Sequence, residues 1–115
     1  LMRLIKKEYD INTFGLGKVM SAGILLLASG TKGQRRIGKH TRIMLHSITA
    51  GHTGALHSLE NDIKETKWIQ EQHIAALAAE TKMTKSYINK MLNKKIDIYW
   101  NAVEALELGI ADIIV

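Results

Sequence analysis

The sequence predicts an α/β domain, and three observations carry that expectation. Short β-rich runs recur near residues 9–16, 41–46 and 110–115, segments with helical apolar spacing lie between them, and 46% of the 115 residues are hydrophobic. The chain opens inside an amphipathic pattern, with Leu1, Leu4 and Ile5 at helical spacing and no capping residue ahead of them, so it reads as a helix cut from a longer domain. Tyr9 to Leu16 alternates apolar and polar in part and reads as a strand ending at Gly15 and Gly17. Ile24 to Ser29, apolar on every side, suits a short buried helix closed by Gly30. Thr31 to Gly38 is a polar, basic turn and edge segment, and Thr41 to His46 is a second strand with a run suited to burial.

From Thr53, expected as its N-cap, a long helix runs to about Glu80 with Leu56, Leu59 and Ile63 on one stripe. At ~1.5 Å per residue it outgrows so small a domain, so part of it should project. Lys85 to Asn93 forms a shorter helix with Ile88, Met91 and Leu92 inward. Asn101 and Glu104 make a capping-box start for a helix over 102–108, Gly109 closes it, and Ile110 to Val115 is a final strand. Residues 1–115 form a single domain with no internal repeat and no linker.

Several function classes fall away. No apolar run approaches the ~18 residues of a membrane span, and the first residues lack a signal-peptide pattern, so the chain reads as soluble, unexported and cytoplasmic. Zero Cys excludes disulfides, thiolate metal sites and a Cys nucleophile. A net charge of +5 fits a polyanion partner, but the basic residues are scattered among acids with few aromatics, so a nucleic-acid partner is not expected.

Nucleophilic chemistry has better support. Ser21 follows a strand at a helix start, where backbone N–H groups stabilise an oxyanion; Ser is also a favoured N-cap. His46 closes a strand, where sites form in open parallel sheets, whereas His40, His52, His57 and His73 fall in loops or along helix faces. A capped core histidine is the plainer reading of His46. Asp97 is an acid among apolar residues just before the last helix, a placement uncommon without a partner.

The residues around these three positions carry a resemblance. Gly17 to Arg35, Arg42 to His46, and Asp97 to Ala102 with Glu104 to Asp112 resemble the nucleophile, histidine and acid segments of the Clp protease proteolytic subunit family (ClpP), serine peptidases of the crotonase-like superfamily. The separations, 25 residues from Ser21 to His46 and 51 from His46 to Asp97, suit that family. The resemblance implies layered strand–helix repeats with a projecting handle helix, and a chain matching the C-terminal three-fifths of a subunit. The family's earlier strand and glycine-rich turn, source of a second oxyanion donor, would precede Leu1.

It implies Ser21 as nucleophile, His46 as general base and Asp97 as the acid that orients it, with the Ala22 N–H as oxyanion donor. Ser47 to Gly51, including Thr49 and Gly51, would pair with an extended substrate strand. The implied activity is a serine endopeptidase acting on unfolded polypeptides inside a chamber of heptameric rings, fed by an ATP-dependent unfoldase, with no metal and no organic cofactor. The sequence departs from the family at Ile96, where a basic residue is common, and at Ser47-Ile48, which replaces Gln-Pro. A non-catalytic ring-forming scaffold or truncated remnant is the alternative. An acyl-CoA hydratase or thioesterase would not need this serine triad, and a signal-peptide peptidase would use a Lys base.

Overall fold

Two three-stranded sheets share out the strands of the chain, and a computed structural model describes all of residues 1–115. One sheet has the order β1-β3-β6, built from β1 (Thr13–Gly15), β3 (Arg35–Ile37) and β6 (Ile113–Ile114), all parallel. The other has the order β2-β4-β5, from β2 (Lys18–Met20), β4 (Arg42–Leu45) and β5 (Ile98–Trp100), with β2 parallel and β5 antiparallel to β4. Helix α2 (Ala22–Ala28) returns the chain from β2 to β3, and the long α3 (Leu56–Glu80), α4 (Lys85–Leu92) and α5 (Ala102–Glu107) follow. A single turn, α1 (Met2–Ile5), opens the chain.

The strands alternate between sheets as they come: β1 then β2, β3 then β4. Each pair is followed by a helix, so the fold contains a strand–strand–helix unit used twice. This repeat leaves no sign in the sequence, because strands of three residues are too short to show a period. Two expectations change accordingly. The strand expected over Tyr9 to Leu16 forms only at Thr13–Gly15, a further strand, β2, follows the turn and joins the other sheet, and the segment read as an edge, Thr31 to Gly38, contains β3, the central strand of its sheet. Arg35 and Ile37, two residues apart and therefore on one face of this strand, are both buried, and Arg36 on the other face is half-buried.

Arg35 is buried yet fully partnered. Its Nε and Nη2 donate to the Asp112 carboxylate at 2.8 and 2.7 Å, and its Nη1 donates to the carbonyls of Ala28 and Glu80 at 3.1 and 2.7 Å. A guanidinium can bind in this forked way and stay charged, so one side chain ties the ends of α2 and α3 to the approach to β6. Glu80 faces the other way and pairs with Arg3 and Lys6, which docks α1.

The apolar core joins α2, both sheets and the C-terminal helices through Ile24, Leu27, Ile43, Leu45, Leu77, Ile88, Trp100 and Ile110. Helix α2 is not buried all round as its composition suggested: Ile24 and Leu27 are in the core while Leu26 faces outward. Helix α3 starts at Leu56 with Ala55 at the N-cap position, two residues after the expected cap Thr53. Its buried residues, Ile74, Leu77 and Glu80, are confined to its last two turns, so the preceding part extends beyond the core and helps make the molecule 50 Å long. The capping box is as expected: Glu104 N–H donates to Asn101 and Asn101 N–H to Glu104. Gly109 has φ +72°, and a Cβ there would lie 2.8 Å from the Lys82 backbone nitrogen, so the turn after α5 needs glycine.

Candidate active site

The strand ladder decides where the three candidate residues lie. Met20 pairs with Met44 in the parallel register of β2 and β4, and the next N–H, of Ser21, donates to the Met44 carbonyl at 2.9 Å. Ser21 therefore leaves the C-terminal end of β2 beside the C-terminal end of β4. His46 is the first residue beyond that end. In the antiparallel register Leu45 pairs with Ile98, so the residues one step further out are His46 and Asp97. Pairing alone thus puts Ser21, His46 and Asp97 along one rim of the β2-β4-β5 sheet.

Ser21 stands between strand and helix with φ 54° and ψ −121°, a conformation that costs an L-residue about 1–3 kcal/mol. The next N–H, of Ala22, begins α2 and has no carbonyl of the same helix behind it, which leaves it free for another acceptor. Lys95, also at positive φ (57°), turns the chain from α4 toward Asp97.

His46 and Asp97 share a cleft of ≈ 230 Å³ with Ser47, Thr49, Leu92, Lys95 and Ile96. Ser21 does not line it. His46 is half-buried, and its Nδ1 sits 2.5 Å from the Ser47 carbonyl. A carbonyl only accepts, so Nδ1 carries the proton, and the Nε2 of the neutral ring keeps its lone pair. That is the tautomer a general base requires. Asp97 is exposed, and no hydrogen bond joins it to His46 or His46 to Ser21. The residues expected to meet a substrate strand lie in an irregular segment: Thr49 is exposed at the cleft and Gly51 is exposed beyond it. No backbone hydrogen bond involves residues 47–54, so this segment's N–H and C=O groups are unclaimed by any strand.

Titratable groups elsewhere have structural duties. Hydrogen bonds from Arg35 hold Asp112 down at about 2, against some opposing desolvation. Burial pushes Glu80 upward, but its hydrogen bonds to Lys6 and Arg3 and their charges win, and its pKa is lowered. Burial lowers that of His73, half-buried on α3, by disfavouring the charged ring. The sequence reading missed the burial of Arg35 and the Ser47 carbonyl as the partner of His46. A lone Arg in a basic stretch carries no local sign of burial, because its partner Asp112 is 77 residues away.

The family model for Clp protease matches residues 1–115. Among curated proteins, the ATP-dependent Clp protease proteolytic subunit 2 of Chlamydia pneumoniae is 31% identical over 107 residues, which is 92% of this chain and 51% of that protein. Proteolytic subunit 4 of Rhodococcus jostii is 32% identical over 105 residues, 91% of this chain and 53% of that protein. Proteolytic subunit 1 of Prochlorococcus marinus gives the same figures. The chain thus spans about half the length of these relatives. The family model matches the chain from end to end, and the chain belongs to the Clp protease family.

Proposed function

We propose that this chain carries the nucleophile, base and acid of a serine endopeptidase subunit. In the proposed reaction His46 Nε2 takes the Ser21 hydroxyl proton as Oγ attacks the peptide carbonyl. The Ala22 N–H receives the developing oxyanion, and the imidazolium returns the proton to the leaving amine. Water, activated by the same base, then releases the acyl group. Asp97 stabilises the imidazolium once the ring turns from the Ser47 carbonyl toward it. Catalytic hydrogen bonds of this kind are often long in a free enzyme and tighten around substrate. The reading rests above all on the ladder register that brings Ser21, His46 and Asp97 to one sheet rim.

The backbone of 47–54, which bonds to no other backbone, supports an extended, unfolded polypeptide as substrate, since such a strand adds by main-chain hydrogen bonds. The projecting part of α3, with Leu56, Ile63, Trp68 and Ile69 exposed, supports assembly into rings that stack through this helix. An ATP-dependent unfoldase would deliver substrate to the resulting chamber, in the cytoplasm.

A second reading, a non-catalytic ring-forming scaffold, is favoured by one observation: Asp97 is exposed and unbonded to His46. Peptide turnover by the full-length protein separates the two. Ser21→Ala, His46→Ala and Asp97→Asn should each lower kcat by about 10⁴-fold or more, and His46→Ala should add almost nothing to Ser21→Ala, because triad members act as a unit. Equal, low turnover in wild type and all variants would favour the scaffold.

A further inference from the structure

The segment after His46 is fastened to α3 at two places by side chains. Ile48 N–H donates to Gln70 Oε1 at 3.0 Å, a bond that a proline at this position could not make. Four residues on, His52 meets two groups of the same helix: Nε2 lies 3.2 Å from Thr66 Oγ1 and Nδ1 lies 3.6 Å from the Asp62 carboxylate. The Thr66 hydroxyl donates to the Asp62 carbonyl, so toward His52 it accepts. Asp62, Thr66 and Gln70 recur every fourth residue, which puts them on one face of α3.

The two spacings agree. Four extended residues from Ile48 to His52 span at most about 14 Å, and the eight helical residues from Gln70 back to Asp62 rise about 12 Å. The two fastenings set the segment antiparallel to the helix, Ile48 beside Gln70 and His52 beside Thr66 and Asp62, with its backbone hydrogen-bonding groups unclaimed by other backbone.

The geometry points to Gln70 and His52 as positioning residues that hold the 47–52 segment extended along the projecting helix, so that it is ready to pair with a substrate strand. This deepens the peptidase reading and rests on it. An unclasped segment would have to be ordered at each binding event, and that ordering entropy would weaken substrate binding. Neither residue touches the reacting atoms, so the clasp should act on KM rather than kcat. It also couples α3, the proposed contact between rings, to the substrate strand.

The test uses the full-length protein with three variants. Gln70→Met keeps the side-chain length and loses the acceptor, Gln70→Glu keeps an acceptor, and His52→Leu removes the second fastening. Gln70→Met should raise KM for a peptide of six or more residues by about fivefold with kcat within about twofold, the effect of one lost hydrogen bond. Amide exchange at Ile48 should quicken in the same variant. Gln70→Glu should restore both, and His52→Leu should shift KM in the same direction. Labelling of Ser21 by a fluorophosphonate is followed in parallel. Labelled Ser21 with KM and Ile48 exchange unchanged in Gln70→Met overturns the clasp alone, as does failure of Gln70→Glu to rescue. An unlabelled Ser21 in the wild-type protein overturns the peptidase reading and the positioning role with it.

Discussion

Ser21 holds a backbone shape that glycine adopts freely and other residues resist, and this places its side chain at the turn between β2 and α2. The strain has a measurable size. Ser21→Gly should be more stable than Ser21→Ala by about 1 kcal/mol in denaturant unfolding, since only the glycine relaxes the positive φ. Equal stabilities would mean that the turn relaxes at little cost. Asp112 gives a pH prediction. Its folded-state pKa, about 2, lies below the ordinary aspartate value of 3.8, so the Arg35–Asp112 pair adds stability that is fully present above about pH 4 and is lost as pH falls toward 2. Asp112→Asn should lower stability at neutral pH and flatten that acid limb. An acid limb identical to wild type would place the titrating carboxylate elsewhere.

Among the elements, those with local signals were legible and those held by distant partners were not. The capping box of α5 could be read directly, because Asn101 and Glu104 satisfy one another across three residues. Asn101→Ala should cost about 1 kcal/mol of stability. The span of α3 was legible from its apolar spacing, but its start was not. Thr53 is a good capping residue that the chain bypasses, because His52 is tied to Thr66, well inside the helix, and the chain reaches the helix start only at Ala55. β2 and β3, at three residues each, carry no period, and the central place of β3 depends on Arg35 finding Asp112. The projecting part of α3 exposes Trp68 and Ile69 at 55% and 45%, which lone soluble chains tend to avoid. Trp68→Lys with Ile69→Lys should reduce self-association in sedimentation experiments while leaving helical content unchanged. A wild-type protein that sediments as a monomer at micromolar concentration would contradict the assembly proposal.

For the molecule as a whole, the alternation of strands between two sheets does the positioning. Successive parallel strands in one sheet bring Ser21 beside the end of β4, and the single antiparallel strand β5 arrives in the reverse direction, so that Asp97 precedes it at the same rim. The three residues stand out in the sequence because the segments around them resemble known motifs. Their relation was not, because it depends on a register that no local pattern encodes. The orientation of His46 toward the Ser47 carbonyl was likewise invisible, being set by backbone geometry rather than residue type. The central claim is that Ser21 is a nucleophile activated by His46. Treating the full-length protein with a fluorophosphonate and locating the adduct by tandem mass spectrometry tests it most directly. One adduct is expected, on Ser21, formed at a rate that falls by orders of magnitude in His46→Ala. An adduct on another residue, or labelling of Ser21 at the same rate without His46, would contradict it.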